Sequence, residues 1–157
     1  MRTGAYFSNN RKYRYTLFRI WDSEKQYAVF IGLNPSTADE TQNDPTVTRC
    51  INYAKAWGYG GLYMLNIFAY RATDPREMKK AASPIGDENN HWILHVCNRA
   101  GIIVACWGTH GTFLNRHKEI LKLLDLHNVW CLGVTKDNIP KHPLYLKSNL
   151  EPVMYKA

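Results

Sequence analysis

The chain has 157 residues, 45% of them hydrophobic, with a formal charge of +7 and a pI of about 9.3. That length suits one ordinary domain, 1–157, able to bury roughly 70% of its unfolded surface. The longest apolar run, Ile102 to Trp107, is far short of the ~20 residues of a membrane span.

No signal-peptide core opens the chain, so a cytoplasmic protein with no membrane partner is expected. The charge suits a polyanion such as nucleic acid or a phosphorylated small molecule; it suits a merely solubilising surface as well. Cys50, Cys97, Cys106 and Cys131 form no Cys-x-x-Cys pair, and they read as buried thiols in a reducing compartment, with no metal.

Tyr13 to Trp21 (YRYTLFRIW) alternates apolar and polar residues, Asp22-Ser23 is turn-like, and Tyr27 to Leu33 (YAVFIGL) is a continuous apolar strand. Together they suggest a hairpin leading inward, with 13–21 at an edge. The apolar run then stops at Gly32-Leu33-Asn34-Pro35 and turns polar as far as Thr48. Asp44 is placed to cap a helix and Pro45 suits its first position, while Val47, Ile51, Tyr53, Ala54 and Trp57 recur at helical spacing. Gly58 and Gly60-Gly61 end that helix.

A second strand is expected over Leu62 to Phe68, followed by a polar loop, Ala69 to Pro84, with a short helix around Pro75 to Ala82. Asp87 to Arg99 reads as a helix, GIIVACWG (101–108) as a third core strand, Thr112 to Leu126 as an amphipathic helix, and Asn128 to Val134 as a fourth strand. Short apolar strands separated by helices imply an α/β fold: a three-layer α/β/α sandwich on a central four-stranded parallel sheet, with an N-terminal edge hairpin.

Open parallel sheets bind ligands at the carboxyl ends of their strands. Here those ends carry Asn34 to Thr48, Asn66 to Arg71, Trp107-Gly108-Thr109-His110 and Thr135 to Leu146, a set equipped for a flat polar ligand and its phosphates. Each residue also has a plainer reading. Asn34-Pro35 could be a self-capping turn, His142 a surface histidine, Asn66 a backbone partner, Phe68 and Tyr70 core, and Arg71 and Arg76 solvated charges. The long polar loop 36–48 is harder to dismiss, because such loops in compact domains are usually functional or disordered.

Through GLNPSTAD, the following DPT, GYGG and NIFAYRATDP, nearly the whole span Tyr27 to Leu146 resembles the phage and bacterial family catalogued as domain of unknown function 1643. Four short blocks in order also resemble the uracil-DNA glycosylase superfamily: Gly32-Leu33-Asn34-Pro35, YMLN ending at Asn66, IVACWGTH, and His142-Pro143 followed by Leu146.

The second resemblance implies that Asn34, within the motif of Gly32, Pro35 and Ser36, positions water against the sugar C1′, and that Asn66 reads the base edge. It further implies that His142 stabilises the departing base and that Leu146 wedges into the stack. Apart from the resemblance, the strand-end position of Phe68 and Tyr70 would let them line the pocket, and in an enzyme of free nucleotides Arg71 and the helix start near Asp44 would meet the phosphate. Asn34 cannot accept a proton from water, so either catalysis would be slow or a carboxylate from Asp39, Glu40 or Asp44 would share the role.

Two departures stand out. Ser36 would not exclude thymine, and Tyr145 replaces the second Pro of the usual His-Pro-Ser-Pro. The expectation is a cofactor-free protein recognising a base in nucleic acid, DNA in preference to RNA, and hydrolysing the N-glycosidic bond of an unpaired or modified base. An enzyme of free nucleotides or nucleosides, and a non-catalytic nucleic-acid-binding module, are the alternatives.

Overall fold

A computed structural model describes residues 1–157. Its strands are β1 (Arg2–Phe7), β2 (Arg14–Ile20), β3 (Tyr27–Gly32), β4 (Gly61–Asn66), β5 (Ile102–Ala105), β6 (Val129–Cys131) and β7 (Val153–Lys156). Its α-helices are α1 (Pro45–Ala56), α2 (Pro75–Lys80), α3 (Asn89–Cys97) and α4 (Arg116–Leu123). No helix is long and apolar enough to cross a membrane.

The strands form one mixed seven-stranded sheet in the order β1-β2-β4-β3-β5-β6-β7. This is larger than the four-stranded parallel sheet expected. The middle strands β4, β3, β5 and β6 run parallel, whereas β1 and β2 on one side and β7 on the other are antiparallel additions. Both outermost strands are mostly exposed or half-buried and carry no long apolar run, so periodicity does not reveal them.

The expected pairing of 13–21 with 27–33 does not form. β2 pairs with β1 and β4, and β3 inserts between β4 and β5. The cause is the apolar character of β3 on both faces, which is satisfied only at the centre of a covered sheet. Its residues alternate between two cores: Ala28 and Phe30 pack with Cys50, Ile51 and Ala54 of α1, while Val29 and Ile31 pack with Ile93 of α3 and Ile120 of α4. Helices therefore cover both faces. All four cysteines are buried free thiols.

The helix expected over 112–126 begins later. Thr109–Asn115 is a 3-10 segment with a break, in which Leu114 and Asn115 are left-handed at φ 57° and 55°. Two successive residues in that region interrupt the α-helical ladder, and α4 starts at Arg116. The helix at Pro45 matches its local signals: the Asp44 carboxylate accepts from Val47 N at 2.9 Å, and Pro45 leads the first turn.

Charges that composition assigns to a basic surface behave differently in β2. Arg14 and Arg19 are 2% and 1% exposed. Arg19 donates to Asp39 O at 2.7 Å, Gln42 O at 3.1 Å and Asn43 Oδ1 at 2.9 Å, and Arg14 donates to Ala38 O at 3.2 Å. The polar segment after β3 is thus an ordered loop stapled to the sheet by two buried guanidinium groups.

Candidate functional site

Because β3, β4, β5 and β6 are parallel, their carboxyl ends share one edge of the sheet, and a cleft of about 480 Å³ opens there. Asn34 follows β3 and lines it, as do Ser36 and Asp44 from the stapled loop, Trp107 and His110 after β5, and His142 after β6. A smaller annex of about 40 Å³ shares Asn34, Ser36, Asp44 and His142 with the cleft and adds Gly32, Pro35, Asn66 and Arg14. Asn34, Asn66 and His142, which are remote in sequence, therefore meet around adjoining cavities.

The orientation of Asn34 is fixed by its neighbours. Its Nδ2 donates to Ala72 O at 2.8 Å and Pro35 O at 3.2 Å, which only the amide nitrogen can do. Oδ1 is left with no protein donor. Asn66 is held the opposite way: Arg14 Nη2 donates to its Oδ1 at 3.1 Å, so its Nδ2 is the free end. Gly32 makes room for that amide, since a Cβ there would sit 3.1 Å from Asn66 Nδ2 and 2.8 Å from Met64 Cε.

His142 returns to the cleft because the segment after β6 folds back, with Lys141 N donating to Gly133 O and Gly108 N to Pro140 O. Gly108, at φ 73°, adopts a left-handed turn there that a side chain would strain. The imidazole Nδ1 accepts from Leu144 N at 3.2 Å, so the neutral ring carries its proton on Nε2. Burial lowers the pKa of this histidine and the Asp44 charge opposes it, the net result lying below the usual value. At neutral pH His142 is a hydrogen-bond donor without a charge.

The chain beyond His142 lies along α1 and is clasped by three side chains at successive turns of that helix. Arg49 donates to Pro143 O at 3.3 Å and to Leu146 O, Tyr53 to Lys147 O, and Trp57 Nε1 to Leu150 O at 3.0 Å. Leu146 packs on the α1 core instead of projecting as a wedge. Tyr145, 98% exposed at φ 68°, is the residue that projects, and Leu144 lines the cleft.

Other expected site residues lie elsewhere. Phe68 is fully buried and packs on Phe113, so it is core and does not face a ligand. Tyr70 and Arg71 line a separate open depression of about 300 Å³ that shares Ser36, Ala72 and Thr73 with the cleft. There Arg71 Nη1 donates to Arg11 O at 3.3 Å, and both guanidinium groups lie over the Phe7 ring.

Of the three carboxylates considered for acid–base work, Asp39 and Glu40 do not line the cleft. Asp39 closes a turn by accepting from Gln42 N and Thr41 N, bonds that hold its pKa down. Glu40 forms a two-pronged pair with Arg11 at 2.7 and 2.9 Å, which lowers its pKa to about 2. Asp44 does line the cleft, but its oxygens hold Val47 N and Ala38 N, so its first duty is to cap α1 and close the loop.

Sequence reasoning misses Arg14, Arg49, Asn89 and Arg116. Asn89 Nδ2 reaches the carbonyls of Asn66 and Ile67 at 2.9 and 3.1 Å, and Arg116 Nε reaches Ile67 O at 2.8 Å. These contacts fix the end of β4 that carries Asn66. A polar residue in a helix or strand pattern gives no sign that it is buried, so the sequence holds no signal for them.

A family model described as "Protein of unknown function (DUF1643)" matches residues 14–144. No curated protein and no solved structure matches the chain.

Proposed function

The chain belongs to the DUF1643 family, whose description assigns no activity, and we propose that it holds one base of unpaired nucleic acid, DNA in preference to RNA, in the cleft and hydrolyses its N-glycosidic bond. The observation that carries this reading is the pairing around one cleft of an amide oxygen without a donor, Asn34 Oδ1, and a neutral imidazole N–H, His142 Nε2.

Cleavage moves the C1′–N electron pair onto the base and leaves positive charge on the sugar. A hydrogen bond from His142 to a base oxygen offsets the first charge, and the Asn34 oxygen orients the water that forms the new C1′–O bond. The proton released by that water ends on the base or in solvent, because Asn34 takes none. Cleavage should accordingly be slow. The resemblance to uracil-DNA glycosylases supports the same assignment of roles.

The depression beside the cleft, where Lys12 and Arg71 carry charges not paired with a carboxylate, suits the phosphates of a continuing strand. A lone mononucleotide with its phosphate at the start of α1 is disfavoured, because the Asp44 carboxylate already holds that terminus.

The test is formation of abasic sites, read as alkali-labile breaks in single-stranded and mismatched oligonucleotides carrying uracil or modified pyrimidines. His142→Ala is expected to slow cleavage by about two orders of magnitude, and Asn34→Ala to slow it as well. Lys118→Ala, on an exposed face of α4, should leave it unchanged. Failure of every oligonucleotide to bind at low salt would refute the proposal.

A further inference from the structure

A separate cavity, of about 420 Å³, lies where the end of β1 and the turn into β2 meet the residues leading into α3. It shares no residue with the cleft, the annex or the Arg71 depression. Tyr6, Phe7, Tyr13 and Tyr15 line it together with Asp87 and Glu88. The chain carries 20 lysines and arginines, yet none of them lines it, nor does a histidine.

The rings are held in place. Tyr13 donates to Ser83 O at 2.9 Å and lies within 7° of parallel to Tyr15, with 6.2 Å between centroids, while the exposed Tyr6 packs on Trp92 at 4.8 Å. Gly86 lets the rings approach, since a Cβ there would sit 2.9 Å from Tyr15 Cε1 and 3.1 Å from Tyr13 Cδ1. Tyr15 walls the cavity at 4% exposure, and its hydroxyl donates to no protein acceptor. Burial raises its pKa, the Glu88 N–H opposes this, and the Glu88 and Asp87 charges add to it, so both carboxylates act on the ring's polar end.

Those carboxylates are unspent. Asp87 and Glu88 are exposed and form no ion pair in a chain of net charge +7, and Glu88, directly before α3, makes no capping bond to that helix. Carboxylates beside electron-rich ring faces, with no cation between them, form a site that a bound cation completes.

We infer that this cavity binds a guanidinium group. A planar guanidinium stacks on tyrosine faces and meets a carboxylate with two parallel N–H bonds, which a compact ammonium cannot do. The Phe7 ring already takes such contacts within the chain, from Arg11 at 3.9 Å and Arg71 at 4.8 Å. The group comes from an arginine side chain of a peptide or from a small free guanidinium compound, and the inference does not draw on the base-binding reading above.

The test follows amide chemical shifts of the full chain at low salt during titration with N-acetyl-arginine amide, its uncharged isostere N-acetyl-citrulline amide, and ethylguanidinium. The arginine compound should shift the amides of 6–15 and 86–92 and bind about tenfold or more tighter than the citrulline compound. Asp87→Asn combined with Glu88→Gln should weaken it about tenfold, and Tyr6→Leu about threefold, while Tyr6→Phe keeps the affinity. None of these three side chains makes a hydrogen bond within the protein, so the variants should keep the fold, as unchanged amide shifts in β3 would verify.

Ethylguanidinium binding as tightly as the capped arginine would uphold the site and assign it to a free compound; weaker binding would uphold it and assign it to a peptide. Equal binding of the citrulline compound, no shifts around the cavity, or full affinity in the Asp87→Asn, Glu88→Gln variant overturns the inference.

Discussion

Replacing Asn89 by Ala tests how the site is held together. This side chain is fully buried at the start of α3 and donates at 2.9 and 3.1 Å to the carbonyls of Asn66 and Ile67, where β4 hands the chain to the cleft. Two buried hydrogen bonds at about 1 kcal/mol each give ~2 kcal/mol, and the small cavity adds to this. Two features work against the loss: Asn89 Oδ1 is itself buried without a partner and would be removed, and Ile67 O keeps Arg116 Nε at 2.8 Å.

The net expectation is about 2 kcal/mol, seen in urea denaturation as a lower midpoint at constant slope. For a chain of this size it corresponds to a fall of roughly 4–8 °C in Tm. Asn89→Asp should be worse than Asn89→Ala, because it would turn a carboxylate onto two carbonyl oxygens. A change below about 0.5 kcal/mol for Ala, or Asp behaving like wild type, would refute the idea that these bonds anchor the end of β4.

Arg49→Ala should free the segment that carries His142, raising amide exchange by about tenfold or more across 142–150 while the amides of β3 keep their protection; uniform loss of protection would point instead to global destabilisation. Gly32→Ala should cost about 1–3 kcal/mol, since the Met64 methyl can yield but the Asn66 amide is tied to Arg14; an unchanged urea midpoint would contradict this. Acidification should weaken the fold through His142 and His117, whose pKa values burial lowers from 6.5, with Asp44 opposing the shift at His142 and the Lys118 charge adding to it at His117. Each binds fewer protons folded than unfolded, so their stability is present above about pH 6.5 and declines as pH falls through that value towards the folded pKa. A double variant, His117→Gln with His142→Gln, should show a flatter decline between pH 7 and pH 5, and equal slopes would count against it.

Much of the frame is readable from residues alone. The apolar runs at Tyr27–Leu33, Leu62–Phe68, Ile102–Trp107 and Asn128–Val134 mark the strands, and Asp44-Pro45 marks the start of α1, because burial on both faces and helix capping are local requirements written into consecutive residues. The polar ends of those runs likewise point to the edge where the cleft lies, with Asn34, Asn66 and His142 around it.

Only the tertiary structure decides the rest, since it depends on partners distant in sequence. Arg14 and Arg19 look like surface charge until β2 is placed against the loop they staple. Asp39 and Glu40 look like candidate acids until one closes a turn and the other pairs with Arg11. Phe68 goes to the core because Phe113 comes back to meet it. Leu146 is turned onto α1 because Arg49, Tyr53 and Trp57, one helical turn apart, each hold a carbonyl of the segment after His142.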